Sequence, residues 1–217
     1  MIKISPSILS ADILKLEEEV KLLDKNGADY IHIDIMDGHY VPNITFGPNI
    51  DKSLRKVTSK ILDVHLMIKP VKKYINEFVE AGSDIITFHP EADDSPEEII
   101  KMISDAAIQA GIAIHPKVNI TDIDHLFNKV QQIIVMTVTP GFGGQKFMHD
   151  QVQKIKDLDK IRKERKLNFK IEIDGGINFE TSKIAINAGV DILVSGTTIF
   201  KENNGDLKKN IKTLKQI

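Results

Sequence analysis

The segment His32-Ile33-Asp34-Ile35-Met36-Asp37-Gly38 alternates isoleucine with polar or sulfur-containing side chains and ends at a glycine. In a β-strand successive side chains point to opposite faces, so His32, Asp34 and Met36 share one face and the isoleucines occupy the other. A histidine and an aspartate two positions apart on one face are well placed to bind a single cation. They are equally well placed to form a buried hydrogen-bonded pair, and this segment alone fits both interpretations.

A second segment repeats the pattern. In Leu62-Asp63-Val64-His65-Leu66-Met67 the apolar residues alternate with Asp63, His65 and Met67. Two strands that each carry a histidine followed by Asp or Met two positions later are expected to form neighbouring walls of one site.

The rest of the chain alternates strand and helix patterns. Eight short apolar segments each precede a helical pattern, and helices are expected to begin near Ser10, Pro70, Ser95 and Thr121. Strands buried on both faces indicate a parallel sheet, and eight strands close a (β/α)8 barrel. The predicted strands are Ile2 to Ser7, Tyr30 to Ile35, Ile61 to Leu66, Ile85 to Phe88, Ile112 to His115, Ile133 to Val138, Phe169 to Ile173 and Ile192 to Ser195.

We therefore predict an α/β protein, a single-domain (β/α)8 TIM barrel of the phosphate-binding type over residues 1–217. The alternative is an open doubly wound sheet. That architecture usually carries a G-x-G-x-x-G motif after its first strand, and Ser5-Pro6-Ser7-Ile8-Leu9 has none.

Composition restricts the classes of function. The 217 residues are 41% hydrophobic and the net charge is −2, which gives no electrostatic reason to expect nucleic acid or an anionic membrane as a partner. There is no cysteine, so any metal must take nitrogen and oxygen ligands. No apolar run approaches the ~20 residues that span a bilayer, and no leader pattern precedes the first strand. A cytoplasmic protein is the expectation.

In a barrel of this kind, function lies at the carboxyl ends of the strands. Polar residues or methionines lie near several of these ends, in otherwise aliphatic strands. Three glycine-containing loops follow strands 6 to 8, and glycine lets backbone N–H groups approach an anion closely. We expect a phosphate site there. The strand residues are Ser7, His32, Asp34, His65, Met67, His89, Met136 and Asp174, and the loops are Gly141-Phe142-Gly143-Gly144-Gln145, Gly175-Gly176 and Gly196-Thr197-Thr198.

Five segments, in order over nearly the whole chain, resemble the signature segments of the ribulose-phosphate 3-epimerase family. They are Ser5 to Asp12, His32 to Asn43, Asp63 to Met67, Pro140 to Phe147 and Asp174 to Ile177.

The resemblance implies one divalent metal ion per subunit on His32, Asp34, His65 and Asp174, with Asp34 and Asp174 also acting as the catalytic proton-transfer pair. Zn, Fe(II), Mn and Co all suit such ligands. It also implies a sugar phosphate as the small-molecule partner, and a homo-oligomer is expected. The implied substrate contacts are Ser7, His65, Met36, Met67, Met136, Gly141, Phe142, Gly143, Gly144, Gly175, Gly176, Gly196 and Thr197.

Two segments depart from the family pattern. Thr197 follows Gly196 where serine is more usual, which keeps the hydroxyl. Ile114-His115-Pro116-Lys117 replaces the usual Leu-Asn-Pro, which leaves the roles of His115 and Lys117 open.

The expected reaction is reversible epimerisation of D-ribulose 5-phosphate to D-xylulose 5-phosphate, a step of the pentose phosphate pathway. Inverting carbon 3 through an ene-diolate requires proton removal on one face and return on the other, and Asp34 and Asp174 on strands 2 and 7 suit these two roles. The alternatives are an allulose-6-phosphate 3-epimerase and a non-catalytic sugar-phosphate-binding barrel, which would be expected to lack one aspartate. A decarboxylase of the orotidine-phosphate type is disfavoured because Met36 occupies its lysine position.

Overall fold

The computed structural model describes residues 2–217, so of the predicted domain only Met1 lies outside the described residues. All eight predicted strands form, with ends that differ by a few residues from the predicted ones. The strands are β1 (Lys3–Pro6), β2 (Tyr30–Met36), β3 (Ile61–Met67), β4 (Ile85–Phe88), β5 (Gln109–Ile114), β6 (Gln132–Met136), β7 (Lys170–Asp174) and β8 (Ile192–Ser195).

The strands form one parallel sheet in the order β1-β8-β7-β6-β5-β4-β3-β2. The two ends of this order meet through a single parallel bridge between Ser7 and His32, which nearly closes the sheet into a barrel. The predicted α/β barrel is confirmed.

Helices cover the outside of the sheet, and most strands are followed directly by one. The α-helices are α1 (Leu16–Lys25), α2 (Pro48–Leu54), α3 (Ile75–Ala81), α4 (Pro96–Asp105), α5 (Ile120–Ile123), α6 (Val152–Glu164), α7 (Thr181–Ala188), α8 (Thr197–Lys201) and α9 (Leu207–Lys215). Short 3-10 helices lie at Ile8–Ser10, Ile13–Lys15, Lys72–Tyr74, Pro90–Ala92, Asp124–Leu126, His149–Gln151 and Glu202–Gly205.

The first helix differs from the prediction. Its α-helical part begins at Leu16 rather than near Ser10, because the Asp12 side chain accepts a hydrogen bond from the Leu14 backbone N–H and caps a separate 3-10 turn. Leu14 lies in this turn, and its side chain is 91% exposed. The helix after β3 also begins later than predicted, because a 3-10 turn lies between Pro70 and α3. The helix α4 begins at Pro96, directly after Ser95, as predicted.

The two faces of β2 bury different chemistry. Ile31, Ile33 and Ile35 are nearly inaccessible and belong to the large apolar core between sheet and helices. The alternate residues, His32 and Asp34, are just as deeply buried. Since successive strand residues point to opposite faces, they lie on the barrel-interior side. The barrel interior is therefore polar close to the carboxyl ends of its strands.

No helix within residues 2–217 combines the length and the apolar character needed to cross a membrane.

One buried carboxyl group lies far from the polar interior. Asp51 of α2 is fully buried, its Oδ1 atom has no hydrogen-bond partner, and Oδ2 accepts a hydrogen bond from Ser83 Oγ at 3.1 Å. Burial raises the pKa of Asp51 to about 7. The folded protein therefore retains a proton on Asp51 at pH values where the unfolded chain has lost it, and stability decreases as the pH rises from about 4 to about 7.

Asp51→Asn removes this penalty. The free energy of unfolding of wild type should fall between pH 5 and pH 8, whereas that of the variant should not fall through this group, because asparagine does not ionise. We expect the difference between variant and wild type to grow by roughly 2–4 kcal/mol over this range. Urea denaturation at the two pH values measures the difference, with Asp94→Asn in an exposed loop as the control. Parallel pH profiles for wild type and Asp51→Asn would contradict the assignment.

Candidate active site and metal centre

Four side chains converge at the carboxyl ends of β2, β3 and β7. Ligand atoms of His32, Asp34, His65 and Asp174 all lie within 4.8 Å of one another. The strand register produces this cluster, because Asp34 on β2 pairs directly with His65 on β3. The structure thus brings together all four residues that the sequence predicted as metal ligands.

The nitrogen atoms that face the cluster have no protein partner. His32 Nε2 and His65 Nδ1 are buried and make no hydrogen bond among the described residues. His32 Nε2 lies 3.4 Å from Asp34 Oδ1, and His65 Nδ1 lies 3.5 Å from the same atom and 3.7 Å from Asp174 Oδ2. Two free imidazole nitrogens facing two carboxylates fit a divalent cation with mixed nitrogen and oxygen ligands.

A third carboxylate contacts the His32 ring nitrogen that points away from the cluster. Asp63 Oδ2 lies 2.8 Å from His32 Nδ1, which leaves Nε2 for the cluster. Asp63 is itself held by hydrogen bonds from Ser5 Oγ at 3.1 Å and Gln132 Nε2 at 2.9 Å. A carboxylate on the far nitrogen fixes the tautomer of a metal-binding histidine and raises its basicity. We expect Asp63 to do the same for His32.

Glu172 completes this buried layer and was missed from the sequence. Its side chain is fully buried, and Oε1 lies 3.7 Å from His32 Nδ1. Burial raises the pKa of Glu172 well above its usual range, and the charge of Asp63 adds to this. The residue stands two positions before Asp174 on β7, so applying the strand alternation to β7 would have placed both carboxyl groups on the interior face.

A histidine supports His65. The Nε2 atoms of His65 and His89 lie 3.0 Å apart, and both rings are fully buried. Burial lowers the pKa of His89 to about 4, so its ring is neutral near pH 7. His89 contacts a candidate ligand and does not belong to the four-residue cluster.

The two aspartates of the cluster differ electrostatically. Burial alone would raise the pKa of Asp34, but His32 and His65 outweigh it and hold this pKa well below its usual range. Burial raises the pKa of Asp174 to about 6, and repulsion from Asp34 contributes. From the charges of the protein alone, Asp34 is ionised and Asp174 retains a proton under mildly acidic conditions.

Ser7 connects β1 to the cluster. Its hydroxyl donates a hydrogen bond of 2.6 Å to Asp34 Oδ2, the oxygen that does not face the histidine nitrogens. Ser7 was predicted as a substrate contact. It does line the cavity, and it also orients a carboxylate.

A cavity of about 240 Å³ opens beside the cluster. Asp34 and Asp174 line it, whereas His32 and His65 do not and are fully buried. His65 was predicted as both metal ligand and substrate contact, and the structure places its ring behind the carboxylates. All the other predicted substrate contacts line the cavity: Ser7, Met36, Met67, Met136, Gly141, Phe142, Gly143, Gly144, Gly175, Gly176, Gly196 and Thr197.

The glycine loops after β6, β7 and β8 form the wall opposite β2 and β3. Gly175 and Gly176 have φ values of 117° and 66°, and a Cβ atom on Gly176 would lie 2.6 Å from the Phe147 backbone nitrogen. Within the described part of the chain, no lysine or arginine lines the cavity. An anion bound there would therefore be held by backbone N–H groups and hydroxyls.

Several cavity residues were not predicted from the sequence. Most lie in or beside the same segments as the predicted contacts, and Glu202 directly follows α8. The lining residues without a predicted role are Leu9, Ser10, Val138, Pro140, Ile177, Asn178, Val194, Ser195 and Glu202, whereas Gln145 and Thr198 belong to loops expected to bind phosphate.

Known proteins resemble the chain over nearly its whole length. Residues 3–200 match the model of the Ribulose-phosphate 3 epimerase family. The Ribulose-phosphate 3-epimerase of Bacillus subtilis (strain 168) is 44% identical over 216 residues, covering 99% of both chains. The Ribulose-phosphate 3-epimerase of Escherichia coli (strain K12) is 39% identical, over 98% of this chain and 94% of the relative.

Solved structures share the fold at much lower identity. KGPDC from Streptococcus mutans, in complex with a sugar phosphate, superimposes with a TM-score of 0.76 at 15% identity, over 99% of this chain and 96% of that one. The 3-hexulose-6-phosphate synthase from Salmonella typhimurium gives a TM-score of 0.72 at 19% identity, over 99% and 97% of the two chains. These similarities concern the barrel architecture.

The four-residue cluster predicts a pH-dependent metal affinity. A cation competes with the proton that Asp174 retains below pH 6, so we expect the dissociation constant for Mn²⁺ to fall as the pH rises from 5 to 7. Calorimetric titration in two buffers of different ionisation enthalpy measures both the affinity and the released protons. Asp174→Asn should bind more weakly, with a shallower pH dependence. An affinity for Mn²⁺ that is constant over this range would contradict the assignment.

Proposed function

The chain belongs to the ribulose-phosphate 3-epimerase family and is an epimerase of the isomerase class, and we propose that Asp34 and Asp174 are its two proton carriers at carbon 3 of D-ribulose 5-phosphate. One observation carries this proposal: the two carboxyl groups line one cavity although they come from β2 and β7, which are not adjacent in the barrel. Two strands separate β2 from β7 on one side, through β1 and β8.

We propose His32, Asp34, His65 and Asp174 as ligands of one divalent cation, Zn, Fe(II), Mn or Co. When bound, such a cation supplies Lewis acidity that polarises a substrate carbonyl and stabilises negative charge on oxygen. The support for this set is the pair of buried histidine nitrogens without protein partners, His32 Nε2 at 3.4 Å and His65 Nδ1 at 3.5 Å from Asp34 Oδ1.

The two aspartates suit opposite proton transfers. Asp34 is ionised, so it can accept the carbon-3 proton, and Ser7 orients its Oδ2 atom beside the cavity. Asp174 lines the same cavity from β7, so its carboxyl group can return a proton to the other face, and in the metal-free site its pKa is the higher of the two. In the reverse reaction the two residues exchange roles, as microscopic reversibility requires. The ene-diolate formed between the two transfers carries the negative charge that the site must stabilise.

Three methionines restrict water near the reacting carbon. Met36, Met67 and Met136 are at most 3% exposed, yet all three line the cavity. Their thioethers provide an adaptable apolar surface without a competing acidic proton. We propose that they shield the ene-diolate from solvent.

We propose that the loops after β6, β7 and β8 bind the phosphate of the sugar. Gly143, Gly144, Gly176 and Gly196 bring backbone close to the cavity, and Thr197 adds a hydroxyl. Since no cationic side chain lines the described cavity, binding by backbone N–H groups accounts for an anion there. A complex with a sugar phosphate is known for the Streptococcus mutans barrel, which supports this fold as a phosphate-sugar binder.

Two further assignments accompany this function as proposals. We place the enzyme in the cytoplasm, because its relatives in Bacillus subtilis and Escherichia coli are named for a metabolic reaction. We also expect a homo-oligomer. Both are tested by fractionation and by light scattering of the purified chain.

Substituting either aspartate tests the two-carrier mechanism. Asp34→Asn and Asp174→Asn each remove one proton carrier while keeping an oxygen, so both should lower epimerisation by ~10²-fold or more. Each variant should retain slow carbon-3 proton exchange in heavy water with only one of the two epimers, and the two variants should prefer opposite epimers. Proton NMR of ribulose and xylulose 5-phosphates measures this exchange.

Metal content is the control for these variants, since loss of the cation would abolish both exchange reactions. His65→Ala should lose metal and activity together while the fold survives. If metal-loaded Asp34→Asn and Asp174→Asn exchange the same epimer, a single base must replace the pair.

Allulose 6-phosphate, assayed in parallel on the wild type, decides between the pentulose and the hexulose enzyme.

A charge in the glycine loop tests the phosphate site. A Cβ atom on Gly143 would lie 3.8 Å from both Leu9 Cδ2 and Ser10 Oγ, so the loop accepts a side chain there without strain. Gly143→Asp should raise KM for ribulose 5-phosphate by about tenfold or more, because a repulsion of roughly 1.4 kcal/mol suffices for that factor. Gly143→Ala is the matched control.

Proton exchange on unphosphorylated ribulose separates binding from folding. We expect Gly143→Asp to leave this exchange close to wild type, because the ribulose lacks the anion that the new carboxylate repels. Equal losses for the phosphorylated and the free sugar would show that the loop is structural and does not hold phosphate.

A further inference from the structure

The second nitrogen of His65 determines whether the first can bind a cation. A neutral imidazole carries one proton, and a metal binds the nitrogen that lacks it. His65 Nδ1 faces Asp34 and Asp174, so it is free for a cation only when the proton sits on Nε2. The only polar partner of Nε2 within the described residues is His89 Nε2, at 3.0 Å.

The contact between the two histidines permits only one proton. If His89 Nε2 accepts, His65 Nε2 donates and His65 Nδ1 keeps its lone pair. If His89 Nε2 donates, His65 must carry its proton on Nδ1, where it blocks a cation. The state of His65 therefore follows from the position of the proton on the His89 ring.

Glu91 biases the position of that proton. Its Oε1 atom lies 3.5 Å from His89 Nδ1, and the Tyr40 hydroxyl donates a hydrogen bond of 2.8 Å to the same oxygen. The Tyr40 ring also packs against His89, with ring centroids 4.8 Å apart. A proton on His89 Nδ1 is attracted to this carboxylate, whereas a lone pair there would be repelled. The carboxylate therefore favours an accepting Nε2 on His89.

We infer that His89 and Glu91 are positioning residues that keep the proton of His65 on Nε2, so that Nδ1 presents its lone pair to the divalent cation. The inference rests on the proposed function in that His65 is taken as a metal ligand. It assigns the two histidines of the cluster different supports. His32 contacts the Asp63 carboxylate directly through Nδ1. His65 instead contacts the neutral ring of His89, and the carboxylate of Glu91 lies on the far side of that ring.

Binding of Co²⁺ to the metal-free protein tests the inference. His89→Phe removes the acceptor and should weaken Co²⁺ affinity about 10–100-fold, the usual effect of losing such a partner. His89→Gln should recover most of the loss, because its side-chain oxygen can accept from His65 Nε2. Glu91→Ala should weaken binding less than His89→Phe. Affinities come from competition with a chelator and from the visible absorption of bound Co²⁺.

His115→Phe is the matched control. The His115 ring centroid is 6.5 Å from that of His89, and the ring makes no hydrogen bond to His65 or His89. We expect its Co²⁺ affinity to equal that of wild type. Thermal unfolding of the metal-free variants separates a positioning effect from a loss of fold, since a structural role would lower the melting temperature and would not be rescued by glutamine.

The outcomes separate this inference from the proposed metal site. Wild type that binds no Co²⁺, or His65→Ala that binds it as well as wild type, would overturn the ligand set and the inference with it. If His65→Ala loses Co²⁺ but His89→Phe binds it as wild type does, only the inference fails.

A measurement on the wild type keeps the test decisive even if His89→Phe does not fold. Nitrogen-15 NMR of the Zn²⁺-loaded protein reports which ring nitrogen carries each proton. We expect the protons on His65 Nε2 and His89 Nδ1. A proton on His89 Nε2 would overturn the inference.

Discussion

Strands β2 and β3 pair in parallel with Asp34 opposite His65, and the candidate metal centre depends on that register. The same register sets His32 opposite Asp63 and Met36 opposite Met67, so a supporting carboxylate, the ligands and the apolar shield follow one another towards the carboxyl end. A shift of one residue would send the isoleucines of β2 into the barrel and the ligands to the helices. The large apolar core outside the sheet makes that exchange unfavourable, because Ile31, Ile33 and Ile35 are buried there.

The buried charges of the interior stabilise one another in pairs. Burying an unpaired carboxylate is costly, and a protein either neutralises it or provides a partner. The structure uses both solutions: Asp34 and Asp63 are held ionised by His32, whereas Glu172 and Asp174 have raised pKa values because burial and neighbouring carboxylates disfavour their ionised forms. The two proposed proton carriers differ in pKa for the same reason, and one ionised and one protonated carboxyl group is the state from which a two-carrier transfer starts.

The sequence was most informative where side-chain chemistry broke a regular pattern. All eight strands were predicted because short apolar segments alternate with helical patterns. A period of two placed His32 and Asp34 on one strand face and His65 on a second, whereas the full set of four clustered residues was implied by the family resemblance. The helix starts were less predictable, since the Asp12 side chain caps a separate 3-10 turn in which Leu14 is exposed. Glu172 was missed although it follows the alternation of β7. The contacts of His89 with His65 and Glu91 depend on ring orientation across strands, which no spacing within one strand encodes.

Asp174 connects the two parts of the proposed site, the four-residue cluster and the loop proposed to bind phosphate. It is the last residue of β7, and Gly175-Gly176 follow it directly into the loop that is proposed to bind phosphate. Because strand end and loop are continuous, the separation between this proposed proton carrier and the proposed phosphate site would be set by backbone rather than by mobile side chains. Gly176 cannot easily be replaced, since a Cβ atom there would meet the Phe147 backbone. The reacting carbon of ribulose 5-phosphate lies one carbon nearer to its phosphate than that of allulose 6-phosphate. With these proposed roles, selection between the two sugars would depend on this junction more than on the proposed ligands of the cation, which both reactions would use alike.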